Sequence, residues 1–136
     1  MGRFINGDID YKFMVAVQSS RAADRFGYLG ETIFYEDEDA KEVFPIEIHY
    51  NFDINYLKFV EEELENIKNN LSDNIEKIDN FFNSRELYTN EELEQYLNKT
   101  AEETFEILHE YADFKLGNKI KECIEVKGKC EFYAEI

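Results

Sequence analysis

The residues best suited to grip a ligand sit together in GDIDYKFMVAVQSSRAADRFG, residues 7–27. Gln18, Ser19 and Ser20 follow an apolar run there, and Arg21 and Arg25 come next at helical spacing. A serine that opens a helix leaves backbone N–H groups free, with a partial positive charge behind them. Two arginines four apart share one helix face. Gln18, Ser19, Ser20, Arg21 and Arg25 together could hold a small anion, a nucleotide phosphate included, or an acidic side chain. A plainer reading competes. The serine caps the helix, and the arginines pair with the chain's own acids, Asp24 or the EDED run at 36–39. Neither GxxxxGK[ST] nor GxGxxG occurs to favour a phosphate site.

Carboxylates supply the other candidate chemistry. Asp8 and Asp10 alternate, so on a strand they face one way and could hold Mg²⁺ or move a proton. Nothing else in the sequence converges on them, and a polar strand face beside a turn accounts for them. Asp37 and Asp39 lack the spacing and the central glycine of an EF-hand. His49 and His109, the two histidines, fall in different elements, and HExxH, CxxC and GxSxG are all absent. No catalytic residue, metal site or cofactor is assigned. A non-enzymatic binding protein is the first expectation, and the alternative is a small-anion or nucleotide-binding domain, enzymatic or not, with its site at the Gln18–Arg25 junction. Cys123 and Cys130 flank a turn and read as buried thiols rather than a redox pair.

Glu62, Glu65, Glu76 and Asp79 form a stripe away from the apolar seam of a long helical segment, broadened by Glu61, Glu63 and Asp73. Carboxylates at three- and four-residue spacing lie about 5–6 Å apart. That is close to the spacing of phosphates along a nucleic-acid strand. Such a stripe could occupy a basic groove on another protein, or it could be a solvated face tempered by Lys68 and Lys77.

The elements that must position these residues follow from periodicity. Residues 3–18 read as two strands, with Phe4 and Ile9 turned inward on the first. On the second, Phe13, Val15 and Val17 alternate with Lys12, Met14 and Ala16. Their turn is Asn6-Gly7 or Asp10-Tyr11. The latter leaves strands of similar length and makes Asn6-Gly7 a bulge. Ser19 or Ser20 caps a short helix ended by Gly27. Residues 31–35 suggest a strand, and 36–42 a charged loop. Phe44 to Phe52 alternates Ile46, Ile48 and Tyr50 against Glu47, His49 and Asn51, with Pro45 suited to a strand end or edge. Asp53 caps a helix whose Leu57, Val60, Leu64, Ile67, Leu71, Ile75, Ile78 and Phe82 step by three or four without a Pro or Gly. The spacing predicts one continuous helix to Phe82.

Two capping boxes follow, Thr89 with Glu92 and Thr100 with Glu103. They open helices over 90–98 and 101–125. The second turns Phe105, Leu108, Ala112, Leu116 and Ile120 inward, and Gly117 inside it is a place for a kink. After a turn at Lys127-Gly128, residues 130–136 alternate Phe132, Ala134 and Ile136 as a strand expected to rejoin the N-terminal sheet. The fold class is α+β. One domain over 1–136 is expected, with a small antiparallel sheet against a long helix and a helical pair.

A net charge of −16 over 136 residues governs the choice of partner. It repels nucleic acid and anionic lipid, and draws in basic surfaces. The pair TNEELEQYLNKTAEETFEILHEYA has the outline of a helix-turn-helix. Its recognition position offers Glu102, Glu103, Glu106, Glu110 and Asp113 and no cation, so a DNA groove would expel it. No run approaches the roughly 20 apolar residues of a membrane span. The start MGRFINGDID lacks the apolar core of a secretory leader, and its Met1-Gly2 opens a myristoylation-like pattern that Asn6 breaks. A cytoplasmic location with reduced thiols is expected. The seam of the long helix either packs within the domain or extends to a second copy, as a homodimer.

The blocks RFINGDIDYKFMVAVQSSRAADRFG and YADFKLGNKIKECIEVKGKCEFYAEI resemble small proteins of bacteriophages and gut metagenomes to which no activity is attached. In kind, though not in motif, the chain is similar to small acidic phage inhibitors of bacterial defence, such as anti-CRISPR proteins. The resemblance implies a partner that handles nucleic acid and carries no functional residues over.

Overall fold

The structure is a computed structural model and describes residues 3–14, 17–39, 41–85 and 87–136. Five strands form one antiparallel sheet: β1 (Phe4–Gly7), β2 (Tyr11–Lys12), β3 (Glu31–Asp37), β4 (Glu42–Asp53) and β5 (Lys129–Glu135). Their order across the sheet is β2-β1-β5-β4-β3. The C-terminal strand thus lies between the N-terminal hairpin and the central one. Four helices accompany them: α1 (Leu57–Leu71), α2 (Asn74–Asn83), α3 (Asn90–Leu97) and α4 (Ala101–Lys127). The fold is α+β, with the long helix α4 packed on the sheet.

Alternation decides which sheet face the helices cover. Ile48, Tyr50 and Phe52 of β4 are buried, as are Cys130, Phe132 and Ala134 of β5 and Ile5 of β1. Tyr50, Phe52 and Phe132 stack with ring centroids 5.1–6.0 Å apart. Each such aromatic contributes about 2–3 kcal/mol on leaving water. The intervening residues face away from the helices.

The N-terminal hairpin departs from the sequence expectation. Ile5, not Phe4, turns inward, and Phe4 is exposed. Ile5 pairs with Tyr11, while Asn6 and Gly7 remain in β1 and pair with Tyr133 and Phe132 of β5, so residues 8–10 make the connection and neither Asn6-Gly7 nor Asp10-Tyr11 forms the turn. The second strand ends at Lys12, and the chain then turns back through Val17 and Gln18, whose N–H groups donate to Met14 O. Val15, Ala16, Met1 and Gly2, on which parts of the sequence reading fell, lie outside the described residues. In β4 the alternation holds from Ile48 onward. Ile46 is the extra residue of a bulge, between Pro45 opposite Phe34 and Glu47 opposite Ile33, and it is exposed.

The continuous helix to Phe82 is the main correction. Asp53 accepts from Asn55 N and caps a short 3-10 turn, from which α1 runs only to Leu71. Ser72 then adopts φ 53°, ψ −126°, which no helix tolerates. Ser72, Asp73 and Asn74 are residues whose side chains compete for backbone hydrogen bonds and favour turns. The apolar period runs through the break because Leu71, Ile75 and Ile78 keep their spacing, so periodicity alone hides it. Beyond the break, α2 packs on α3 through Phe81, Tyr96 and Tyr88. Replacing Ser72 by glycine removes a side chain from a left-handed conformation. It is expected to raise stability by about 1 kcal/mol, read from urea unfolding. A loss would mean that Ser72 holds the break by its side chain.

Helices α3 and α4 open at the threonines expected. Thr100 and Glu103 make the full reciprocal box, whereas Thr89 accepts from Glu92 N without the return bond to its own N–H. Leu108, Ala112, Leu116 and Ile120 are buried as the spacing implies, but Phe105 and Ile136 are half exposed. Gly117 does not interrupt α4. It makes room instead: a Cβ there would lie 2.4 Å from Phe26 Cζ.

Candidate functional site

The junction after β2 forms a polar cluster closed by α4. Residues 22–26 are a 3-10 turn rather than an α-helix, with Arg21 at its N-cap and no side-chain cap. Ser19 Oγ accepts from Arg21 N at 3.1 Å, so the serine organises the turn before the helix. Gly27 ends it at φ 107°, a value that favours glycine. Ser20 Oγ accepts from Arg3 at 2.6 Å.

Gln18 is buried, and every polar atom of its side-chain amide has a partner. Its Oε1 accepts from Tyr11 Oη at 2.7 Å and Met14 N at 3.0 Å, while its Nε2 donates to Asp113 Oδ1 at 2.9 Å. Tyr11 also reaches Ala112 O at 3.1 Å. Burial pushes the Tyr11 phenol up to about 12, against the hydrogen bond to Gln18. It stays a neutral donor.

Arg25 is enclosed by carboxylates from two helices. It meets Glu63 of α1 at 2.7 Å, and Glu110 and Asp113 of α4 at 2.9 and 2.8 Å. Burial opposes its charge, but the bonds from Glu110, Asp113 and Glu63 outweigh that and hold the guanidinium more firmly protonated than usual. Arg21 is spent on Asp24 at 3.3 Å, Gly30 O at 3.0 Å and Thr32 Oγ1 at 2.5 Å. Asp24 in turn accepts from Tyr50 Oη and Gly30 N. The arginines therefore pair mainly with the chain's own acids, Asp24 among them. Among the described residues neither arginine bonds to the EDED run, where Asp39 N donates to Asp37 Oδ1 at 3.0 Å in a local turn. Around Arg25 three carboxylates already occupy the place a small anion would take.

The remaining candidates have local employment. Asp8 accepts from Glu131 N at 2.9 Å and Lys127 Nζ at 3.5 Å, and the backbone bond leads in holding its carboxyl below the usual range. His49 meets Glu131 at 2.8 Å on the sheet, and His109 lies 3.8 Å from Asp113 on α4. Cys123 and Cys130 are free and buried. Burial, then the hydrogen bond with Cys123, raises the Cys130 thiol and keeps it protonated. Among the described residues no group of three His, Cys, Asp or Glu is placed to hold a metal ion.

The acidic stripe is divided by the break. Glu62 and Glu65 lie on α1, Glu76 and Asp79 on α2. Glu62, Glu65 and Glu76 are exposed, and among the described residues their one ion pair is the loose Lys58–Glu62 contact at 3.9 Å. Asp79 is engaged: it accepts from Tyr111 Oη and from Lys115 at 3.1 Å. Burial raises its carboxyl, and these two donors together bring it below the usual range. Between the break and the start of α4 lies an open groove of about 700 Å³, bordered by Asn74, Lys99, Phe105 and His109.

Sequence reasoning missed Tyr11, Glu63, Glu110 and Asp113 as partners of the junction. No local signal marks them, since their contacts span up to 101 residues of chain. The chain matches no protein-family model, no curated protein and no solved structure.

Proposed function

We propose that this chain is a non-catalytic acidic binding protein that occupies a basic, nucleic-acid-binding surface of another protein. One observation carries the reading: the outer faces of the helices bear carboxylates with few internal counter-charges. Glu61, Glu62 and Glu65 of α1, Glu76 of α2, Glu91 of α3, and Glu102 and Glu106 of α4 are all exposed. The arginines that could have neutralised them are turned inward to the junction or tied to single acids. With a net charge of −16, such a surface speeds encounter with a basic groove and repels nucleic acid itself. The resemblance to phage proteins supports a bacterial defence protein as the target class. No helix of the described residues is long and apolar enough to cross a membrane.

Asp79 is taken out of the expected contact set because its charge is already used. Replacing Glu62, Glu65 and Glu76 by glutamine leaves the apolar seam intact and should change stability by no more than about 1 kcal/mol. Capture of basic, nucleic-acid-binding proteins from bacterial lysate, read by mass spectrometry across a salt series, tests the reading. The wild type should retain them at low salt and release them as salt rises, and the triple variant should retain less. Equal retention by both would reduce this face to solvated surface.

A further inference from the structure

The sheet has a second face that no helix of the described residues covers, and its composition is unusual. Tyr133 of β5 lies opposite Asn6 on one side and His49 on the other, and His49 lies opposite Glu31. In the next row Glu135 stands directly opposite Glu47, and Glu47 opposite Ile33. Further along, Tyr35 faces Phe44 with ring centroids 5.1 Å apart. Tyr133 is 38% exposed, Phe44 42% and Tyr35 50%. Aromatic rings and carboxylates thus alternate over a solvated face.

Like charges placed directly opposite on neighbouring strands destabilise a sheet. Glu47 and Glu135 nevertheless sit so, and neither has an ion-pair partner among the described residues. The face also shows what suits it. The ammonium of Lys12 lies over the Phe4 ring at 6.0 Å from its centroid, and the His49 ring lies against Tyr133 at 4.8 Å, tilted by 32°, while meeting Glu131 at 2.8 Å. Cationic and ring groups here pair with a carboxylate or lie on a ring.

We propose that this open sheet face binds an extended, arginine-bearing segment of a partner protein. Guanidinium is the side chain that both lies flat on an aromatic ring and bonds a carboxylate with two parallel N–H groups. Lysine makes the ion pair but stacks less well. A second copy of this chain is disfavoured as occupant, because each would bring a charge of −16. Bases could stack on the rings, but their phosphates would meet Glu31, Glu47, Glu131 and Glu135. Crossing the strands requires about 20 Å, which six or seven extended residues span. This surface is separate from the helical carboxylates and does not depend on their role.

The test uses fluorescein-labelled peptides of about eight residues, alternating arginine or lysine with serine, and a single-stranded oligonucleotide, read by fluorescence anisotropy at low salt. The arginine peptide should bind about threefold or more tightly than the lysine peptide. Tyr133→Ala with Phe44→Ala should weaken it about tenfold and abolish the preference. Glu47→Gln with Glu135→Gln gives the discriminating result: relieving the opposed charges should raise the melting temperature while weakening the arginine peptide severalfold. That opposite response also guards against a variant that merely unfolds. Equal binding of the two peptides, wild-type affinity in both sheet variants, or preference for the oligonucleotide would overturn the inference. If only Glu62→Gln, Glu65→Gln and Glu76→Gln weakened the arginine peptide, the sheet would be excluded while the helical reading stood. The reverse pattern would separate the two the other way.

Discussion

Arg25→Met is expected to cost about 3 kcal/mol at neutral pH. The reason is the company Arg25 keeps. Glu63 from α1 and Glu110 and Asp113 from α4 converge on one guanidinium, and Asp113 is 2% exposed in its side chain. Methionine fills the volume but leaves three carboxylates facing one another, with the Gln18 amide and His109 as the polar groups beside Asp113. Breaking a buried pair by removing one partner leaves its mate desolvated and uncompensated, which costs about 3–5 kcal/mol. Arg25 is 25% exposed, so the lower end applies.

Urea unfolding of the wild type and the variant at neutral pH measures that cost. A loss well under about 1 kcal/mol would show that the three carboxylates do not need the guanidinium and that Arg25 matters for packing alone.

This cluster also marks where the sequence stops being informative. Arg25 and its need for carboxylates could be read from residue types, but with 31 acids present the choice among them could not. Glu63, Glu110 and Asp113 lie 38, 85 and 88 residues away. What could be read was local. The Thr100 box, the buried row Leu108 to Ile120, and the alternation of β5 through Phe132 and Ala134, though not to Ile136, each depend on neighbours within a few positions, and each appears where spacing put it. The break at Ser72 failed the same method for a physical reason. A turn that preserves the apolar period leaves no trace in that period, and the only local sign was the run Ser72-Asp73-Asn74. The open sheet face was hidden for another reason. Tyr133 meets His49 only because β5 inserts between β1 and β4, an order that alternation within single strands does not contain.

Gly117→Ala should destabilise the protein by about 2 kcal/mol, although alanine is the better helix former by about 1 kcal/mol. Gly117 is buried in the middle of α4, where an added Cβ would approach Phe26 Cζ to 2.4 Å, Cε1 to 2.5 Å and Leu64 Cδ2 to 2.7 Å. Leu64 is a flexible side chain and can move aside. The Phe26 ring is fully buried and is fixed by the 3-10 turn that carries it, so it cannot. That same turn holds Arg25, one residue before Phe26. Pushing the ring outward would draw the guanidinium from its carboxylates, which couples the packing defect to the charged cluster. Phe26→Leu alone should cost about 1–2 kcal/mol by leaving a void. Combined with Gly117→Ala it should cost less than the sum, because the smaller side chain makes room for the new methyl. Urea unfolding of the two single variants and the double variant measures that coupling. If Gly117→Ala instead stabilised the chain by its helix propensity, the ring would not be wedged on the helix backbone, and the turn would not depend on Phe26 for its position.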